Sequence, residues 1–467
     1  NSYDNSYNGG PSAGLINGID FNGGSDLFVA KLSADGTSLL ASTYVGGSNT
    51  DGLNISSLRY NYGDQLRGEI ILDPFENVLI SSTTKSSDFP TLQGTQGALS
   101  GPQDAVLFKM SNGLNTMIWS SYFGGSGEET GNSIAVAGNG DVYVAGGTTS
   151  SSMPFNNGFD LSFGGVADGY VARFNGNNGS VLSGTFIGDG EYDQTYFVQI
   201  DVDDKAYVLG QTESSLGITG GLYGNPNSGQ YIQKYNHNLT TQEWKTMVGA
   251  STGHVELSPT AFLVSDCYDI YFSGWGGDIN LGSPANQSTT FGFPVTADAF
   301  QGTTNGSNFY IGVLSENAGY LKYGTFFGGT NNLSDEHVDG GTSRFDKSGR
   351  IYHAVCGGCQ GNSNGFTTTA GAWSQINAAS GGGSCNLAAF KFELNTIEAL
   401  ISTPNTVVCI PNPANFTNNS ANGNTFFWDF GDNNTSTAVN PSHVYGAAGT
   451  YTVTLIVSDS NACFTPD

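Results

Sequence analysis

A short strand-like phrase recurs along the chain at intervals of roughly 60–80 residues, and it constrains the fold more than any other feature. Each copy begins with Asp, Asn or Gln and continues with about six mostly apolar residues, which is typical of a buried β-strand. The copies lie at 26–32, 104–110, 168–174, 230–235, 308–314 and 386–392. One such unit cannot bury its faces alone, so the repeat predicts units packed side by side.

Two further phrases follow each copy in fixed order. The first ends in small residues, and the second is a pair of apolar runs around a turn such as Gly138-Asn139-Gly140-Asp141, which is a hairpin signal. The first phrase lies at 42–47, 121–125, 184–188 and 324–329, with a degenerate copy at 244–249. The hairpin lies at 70–81, 134–146, 198–210, 262–274 and 343–355. Four short strands per unit predict the blades of a β-propeller.

The expected number of blades follows from where the units begin and end. Residues 26–385 hold five full units, 386–394 supply the first strand of a sixth, and 1–25 are interpreted as the tail of an earlier one. We therefore expect an all-β fold in which residues 1–395 form a propeller of six or seven four-stranded blades. Seven blades would require a further unit upstream.

The charge of the chain limits the classes of partner that we expect it to bind. Forty acidic residues stand against 14 basic ones, which gives a formal charge of −26. Such a surface repels nucleic-acid phosphates and anionic membranes, so nucleic acid is not an expected partner. The 68 glycines and the low content of charged residues, 12%, agree with many short strands and turns. Since no run of about 18 apolar residues occurs, we expect no membrane span.

The repeated phrases resemble a known family. The Asp-x-Phe-Val-x-Lys-Leu phrase at 26–32, the Ser-Thr-Tyr-x-Gly-Gly phrase at 42–47, and the Val-Tyr-Val-x-Gly-x-Thr phrase at 142–148 are similar to the SBBP repeat of β-propellers. The resemblance covers about residues 20–395, and it is weakest at 249–251, where the glycine pair is lost. It implies a propeller used as a binding scaffold.

The pattern changes after residue 395. Alternating apolar residues surround Trp-Asp-Phe-Gly-Asp at 428–432, and a Gly-x-Tyr-x-Val-x-Leu strand follows at 449–455. These phrases resemble a PKD domain, which implies an immunoglobulin-like β-sandwich over 403–467 after a linker at 396–402. Trp428 is the expected core anchor, and His443 is expected to be structural. The residues that carry the resemblance are Trp428, Asp429, Gly431, Asp432, His443 and Tyr445.

Six cysteines predict disulfides formed in an oxidising compartment. Cys409 and Cys463 flank the strands of the C-terminal domain and are the expected pair there. The other four, which allow three pairings, are Cys267, Cys356, Cys359 and Cys385. An alternative is a zinc site in which His353 joins Cys356, Cys359 and Cys385. A thioredoxin-like use of Cys356 and Cys359 is a weaker alternative, because no helix is predicted there.

Calcium is the candidate cofactor, because an acidic loop follows each small-residue phrase. Two loops carry three carboxylates each. The candidate calcium ligands are Asp189, Glu191 and Asp193 in one loop and Asp335, Glu336 and Asp339 in the other. The alternative is that these side chains cap their own backbone turns, since the spacing matches no established calcium loop.

Catalysis is not expected. None of the five histidines lies in a hydrolase or metalloprotease frame, and the acid pair Glu336 and Asp339 is only a weak glycosidase signal. The resemblance implies a secreted or cell-surface protein of Bacteroidota type, associated with gliding motility and exported by the type IX secretion system to the outer face of the outer membrane. Expected partners are components of that system, other surface proteins or polysaccharide, and adhesion is the expected activity. Alternatives are an accessory region of a secreted polysaccharide-degrading enzyme and a subunit of an extracellular filament.

Overall fold

The computed structural model describes residues 2–16, 18–329, 335–340, 343–359, 365–378, 385–394, 399–420 and 423–458. The chain divides into two compact units. One comprises residues 1–344 and 353–390, and the other comprises 345–352 and 391–467. Each unit is described below by itself.

Short antiparallel strands make up the first unit. A small hairpin is followed by a two-stranded sheet, and their strands are β1 (Leu15–Ile16), β2 (Ile19–Asp20), β3 (Leu27–Leu32) and β4 (Leu39–Val45). The first two four-stranded sheets contain β5 (Glu69–Leu72), β6 (Val78–Thr84), β7 (Asp104–Met110), β8 (Met117–Phe123), β9 (Ser133–Val136), β10 (Val142–Thr148), β11 (Asp168–Phe174) and β12 (Val181–Ile187).

Two more four-stranded sheets and one three-stranded sheet follow in chain order. Their strands are β13 (Asp193–Ile200), β14 (Ala206–Thr212), β15 (Gln230–Tyr235), β16 (Gln242–Val248), β17 (Ser258–Val264), β18 (Ile270–Trp275), β19 (Phe309–Leu314), β20 (Leu321–Phe327), β21 (Arg344–Phe345), β22 (Ile351–Gly357) and β23 (Asn386–Phe392). Short 3-10 turns lie at Asp64–Leu66, Asp278–Gly282 and Glu316–Ala318.

Successive sheets share their hydrophobic cores. One cluster joins Leu79 and Leu107 of the β5–β8 sheet to Val144 and Ala172 of the next sheet, and all four side chains are fully or almost fully buried. Similar clusters join each following pair up to the β17–β20 sheet. The apolar area is therefore buried between blades, which is why the repeat phrases are apolar on both faces.

The first strands of early and late sheets contact one another, so the sheets form a closed ring. On β5, Glu69 Oε2 accepts a hydrogen bond from the Ile134 amide of β9 at 2.9 Å. The same carboxylate pairs with Arg344 of β21, and Arg344 Nη2 lies 3.1 Å from the Ile70 carbonyl oxygen. Since β5 belongs to an early sheet and β21 to the last, the sheets surround a common axis. This arrangement is a β-propeller.

Six sheets of the described residues carry the repeat phrase that the sequence predicts for each blade. Four are complete, while β3–β4 has two strands and β21–β23 has three. The N-terminal segment packs on β4 as the corresponding loop of a complete blade does. Tyr44 donates its amide to the Asp4 carbonyl oxygen at 3.1 Å, and Tyr122 donates to Gln96 at the same distance. The interpretation of residues 1–25 as the tail of a blade stays a prediction.

The second unit contains the C-terminal sandwich. Its strands are β24 (Ile401–Ser402), β25 (Ala414–Asn415), β26 (Thr417–Asn418), β27 (Thr425–Asp429), β28 (Thr435–Ser436), β29 (Ser442–His443) and β30 (Thr454–Ser458). They pair as β24 with β26, β25 with β29, and β28-β27-β30. Ile401–Ser402 pairs with Thr417–Asn418. These two residues therefore belong to the domain, and the predicted linker at 396–402 extends too far.

Trp428 is fully buried at the centre of this unit, where it packs with Phe416, Phe430 and Val457. The predicted core anchor is therefore in place. No helix among the residues described is long and apolar enough to span a membrane.

Candidate functional site

The acidic residue after each small-residue phrase is buried and bonded to protein groups. Glu129 shows the pattern: its carboxylate accepts hydrogen bonds from the Gly125 amide at 3.0 Å, from Thr148 Oγ1 at 2.6 Å and from Ser150 Oγ at 2.5 Å. Thr148 and Ser150 belong to the next blade, so the carboxylate ties two blades together. The equivalent carboxylates, all fully or almost fully buried, are Asp51, Asp193, Glu256 and Glu336.

The same contacts explain the glycines of the phrase. A Cβ atom on Gly124 would lie 2.3 Å from Glu129 Oε2 and 2.8 Å from Asp104 Oδ1. A side chain at this position would collide with the two carboxylates, so only glycine fits between them. Burial raises the pKa of Glu129 to about 7, although its hydrogen bonds act in the opposite direction. Burial likewise raises the pKa of Asp193 to about 7 and that of Asp51 to about 6.

These contacts correct the calcium prediction for the first loop. Asp193 is buried and accepts the Asp189 amide at 2.9 Å, while the Asp189 and Glu191 side chains are exposed. Over the described part of the chain, the side chains that bring three or more metal-ligating atoms within 4.8 Å of one another are His337, Asp339 and Cys356. The three carboxylates of 189–193 do not converge. The alternative interpretation, turn capping, describes this loop.

The carboxylates of the second loop likewise differ in burial and in the groups that they contact. Glu336 is fully buried and accepts a hydrogen bond from Asn308 Nδ2 at 3.0 Å, as the carboxylates of the other blades accept theirs. Asp335 is also buried, whereas Asp339 is partly exposed and contacts His337 and Cys356. Calcium coordination by Asp335, Glu336 and Asp339 together is therefore corrected as well.

The four cysteines Cys267, Cys356, Cys359 and Cys385 do not pair among themselves as any of the three predicted pairings requires. Cys359 forms a disulfide with Cys385, Cys267 is also disulfide-bonded, and Cys356 keeps a free thiol. The zinc set of His353, Cys356, Cys359 and Cys385 is thereby corrected, and so is the thioredoxin-like pair. Cys409 is an exposed free thiol, so the predicted Cys409–Cys463 disulfide is corrected at Cys409, while Cys463 itself lies outside the described residues.

His353 lies apart from the thiols for a physical reason. Its ring is buried between Ser343 Oγ, 2.6 Å from Nδ1, and Ser273 Oγ, 3.5 Å from Nε2. It also stacks on Phe390 with ring centres 4.7 Å apart. Burial lowers the pKa of His353 to about 3, so the imidazole is a neutral core group.

A cluster of different composition forms around the free thiol. His337, from the segment between β20 and β21, pairs with Cys356 of β22 through two backbone hydrogen bonds of 3.0 and 3.3 Å. Asp339 lies two residues further on, with Oδ1 3.5 Å from His337 Nε2 and Oδ2 3.3 Å from Cys356 Sγ. Hydrogen bonding to His337 holds the pKa of Asp339 below its usual value, and burial raises the pKa of the Cys356 thiol to about 12.

A long connection between β4 and β5 contributes a polar core that sequence reasoning missed. Asp64 is fully buried and pairs with Arg67, whose Nε lies 2.8 Å from Asp64 Oδ1. Arg67 donates to the Pro259 carbonyl oxygen at 2.8 Å, and Tyr196 donates its hydroxyl to Asp64 at 2.9 Å. The connection therefore reaches β13 and β17, which lie in later blades. Its length, residues 46–68, was the available signal, since residues 124–132 suffice between β8 and β9.

The motif residues of the C-terminal unit stabilise a turn. His443 Nε2 lies 2.7 Å from Asp432 Oδ2, and the His443 ring stacks on Phe430 with ring centres 4.3 Å apart. Tyr445 donates its hydroxyl to the Phe430 carbonyl oxygen at 3.1 Å. Gly431 has φ 77°, where a Cβ atom would lie 2.5 Å from the Thr452 carbonyl oxygen. These contacts stabilise the turn, and Asp429 caps it by accepting a hydrogen bond from the Gly431 amide at 2.9 Å.

Comparisons with known proteins identify this unit. The family model described as PKD domain matches residues 399–465. Collagenase ColA of Bacillus cereus is 63% identical over 35 residues, which cover 8% of this chain and 4% of the collagenase. The chain thus spans a small fraction of that relative. The C-terminal unit is a PKD domain.

Solved structures similar to the chain include propellers. The Dos1 propeller aligns with a TM-score of 0.28 and 9% identity, covering 70% of this chain and 57% of its own. PorZ, described as an essential surface component of the type-IX secretion system of Porphyromonas gingivalis, aligns with a TM-score of 0.30 and 12% identity, covering 96% of this chain and 52% of its own. The propeller assignment rests on the sheets described above.

Proposed function

We propose that this protein is a non-catalytic binding scaffold at the cell surface or outside the cell, in which the propeller binds and the PKD domain is a spacer. The observation that carries the proposal is the combination of a propeller with a PKD module in one chain. The Cys359–Cys385 disulfide supports an oxidising compartment, since such bonds rarely persist in the cytosol.

The hydrogen-bond partners of the buried carboxylates support a non-catalytic role. A catalytic carboxylate must face a substrate, but Glu129 faces a backbone amide and hydroxyl groups of two adjacent blades. The formal charge of −26 supports partners that are neutral or basic, such as uncharged polysaccharide or basic surfaces of other proteins. Export by the type IX secretion system to the outer face of the outer membrane, with a role in gliding motility, belongs to the same proposal through the SBBP-like phrases.

Surface labelling of living cells tests the location. Intact cells are treated with a membrane-impermeant amine-reactive biotin reagent, and the protein is recovered on streptavidin. We expect labelling in cells with an active type IX translocon and its loss in a translocon mutant. A cytosolic protein measured in parallel controls for lysis. Labelling only after the cells are broken would overturn the surface location.

The binding role needs a separate experiment. Purified protein is incubated with extracellular polysaccharide, and both retention and the release of new reducing ends are measured. We expect retention without release. Release of reducing ends by the purified chain would contradict the non-catalytic proposal.

A second candidate is an accessory region of a secreted degradative enzyme. It is favoured by one observation, the 63% identity of a 35-residue stretch of this chain to a collagenase. A catalytic domain on the same mature polypeptide, detected by intact mass and peptide mapping of the protein isolated from cells, would select this candidate.

A further inference from the structure

Three different metal-ligating side chains converge beside the last sheet of the propeller. The backbone bridge between His337, which precedes β21, and Cys356 of β22 places these two residues directly opposite each other. Opposed residues of this kind have Cβ atoms about 5 Å apart on the same face. Asp339 lies two residues after His337, at a bend, and its carboxylate contacts both His337 and Cys356. The backbone bridge holds His337 and Cys356 together, and Asp339 reaches both of them.

The distances suit one ion. A tetrahedral zinc ion with bonds of about 2.0–2.3 Å has neighbouring ligand atoms about 3.3–3.8 Å apart. Here His337 Nε2 and Asp339 Oδ1 are 3.5 Å apart, and Asp339 Oδ2 and Cys356 Sγ are 3.3 Å apart. The ligating atoms of all three groups lie within 4.8 Å of one another. Small side-chain rotations would bring them to coordination distance.

The surroundings orient the imidazole. The Tyr62 and Trp275 rings pack edge-on to His337, with ring centres 5.2 and 5.7 Å away. His337 Nδ1 lies 3.8 Å from Cys359 Sγ, which is held in a disulfide and so is not a thiolate ligand. Nε2 is left to face Asp339. Tyr62 also hydrogen-bonds to Asp339, as groups behind metal ligands commonly do.

One side of the cluster is open. The side chain of Asp339 is 39% exposed, whereas that of His337 is 4% exposed. Three protein ligands with an accessible fourth position are typical of zinc sites that bind water or an external group. A thiolate with an imidazole favours zinc over calcium or magnesium, which prefer oxygen ligands only.

We propose that His337 Nε2, a carboxylate oxygen of Asp339 and Cys356 Sγ bind a divalent transition metal, zinc by preference, with water or a partner's donor group as fourth ligand. Binding forms a bond between the metal and the Cys356 sulfur, and the thiol proton passes to solvent. The site shares only Cys356 with the His353 set considered in the sequence, and it does not depend on the proposed adhesive function.

Cobalt titration of the untagged full chain tests the site. The protein is treated with a chelator, the chelator is removed, and Co²⁺ is added while absorption is recorded. We expect a thiolate-to-cobalt charge-transfer band in the near ultraviolet that saturates at one equivalent per chain. Zinc should abolish the band, and excess calcium should leave it unchanged. Absence of the band, or its displacement by calcium, would overturn the proposal.

Matched variants assign the ligands. Cys356→Ser should remove the charge-transfer band and weaken zinc binding by at least about tenfold, whereas Cys409→Ser, which removes an exposed free thiol elsewhere, should change neither. Asp339→Asn provides a second variant at a partly exposed position, for which the band should persist while zinc binding weakens. Near-ultraviolet circular dichroism checks that each variant is folded. Unchanged zinc affinity in folded Cys356→Ser and Asp339→Asn proteins would show that the cluster is not a metal site.

Discussion

Asp64 and Arg67 form an ion pair inside the propeller, with Arg67 Nε 2.8 Å from Asp64 Oδ1 and side-chain exposures of 0% and 6%. The Arg67 guanidinium also lies over the Tyr196 ring, 4.4 Å from its centre, and donates to Ser258 Oγ at 2.9 Å. The pair therefore links the connection before β5 to strands β13 and β17. Charges so deeply buried remain stable only while both partners and their hydrogen bonds are present.

Removing the acid should destabilise the propeller strongly. Asp64→Ala leaves a buried guanidinium without its carboxylate, and we expect the free energy of unfolding to fall by about 3–5 kcal/mol. Urea unfolding followed by tyrosine and tryptophan fluorescence measures the change. The control is Lys205→Met, which breaks the Lys205–Glu243 pair at 35% and 27% exposure and should cost less than about 1 kcal/mol. Equal losses of unfolding free energy in the two variants would show that the buried pair stabilises the fold no more than the exposed pair does.

Stability should rise as the pH falls from about 8 to about 5. Burial raises the pKa of Glu129 to about 7, with the Asp104 charge adding to the rise, so the folded protein binds a proton more tightly than the unfolded chain. The resulting stabilisation is fully present below an unfolded pKa of about 4.3 and is lost as the pH rises through about 7, an effect of up to about 3 kcal/mol. Melting temperatures across this range measure it.

Glu129→Gln should reduce that pH dependence, because the amide does not titrate, while Asp193 and Asp51 continue to contribute their share. Asp35→Asn is the control, since Asp35 is exposed and its pKa is lowered to about 2 by hydrogen bonds from Ser33 and Thr37. A pH profile that Asp35→Asn alters as much as Glu129→Gln would refute the assignment to the buried carboxylate.

Loss of the Cys359–Cys385 bond should weaken the propeller. The two cysteines are separated by 26 residues, and closing a loop of that size stabilises a folded chain by about 3 kcal/mol. We therefore expect Cys385→Ser to lower the urea midpoint, and Cys409→Ser to leave it unchanged because that thiol is free and exposed. An unchanged midpoint in Cys385→Ser would contradict a stabilising role for the bond.

Trp428 should be required for the PKD domain to fold. Its side chain is fully buried, and its Nε1 donates to the Ala438 carbonyl oxygen at 2.9 Å. Trp428→Ala should cost about 3–5 kcal/mol, which is comparable with the whole stability of a small domain. Hydrogen exchange of residues 425–458 in the full chain measures the loss. Val439→Ala, at 53% exposure, is the control and should leave the exchange protection intact.

The sequence predicted the elements well because their signals are local. Each blade strand is encoded by a run of apolar residues with turn residues beside it, and Trp428 follows from its own phrase in the PKD domain. The acidic residue after each small-residue phrase was also visible. Its role was not, because Thr148 and Ser150, which bond to Glu129, belong to the next blade.

The tertiary structure alone decided which distant side chains meet. Arg67 contacts Pro259 because the connection before β5 turns inward. No local sequence signal near either residue predicts this contact. Cys356 and Asp339 were both candidates in the sequence, but in separate sets, with zinc for one and calcium for the other. The backbone bridge between His337 and Cys356 of β22 brings them into one cluster, because the register of such a pairing is set by packing elsewhere in the sheet and not by local spacing.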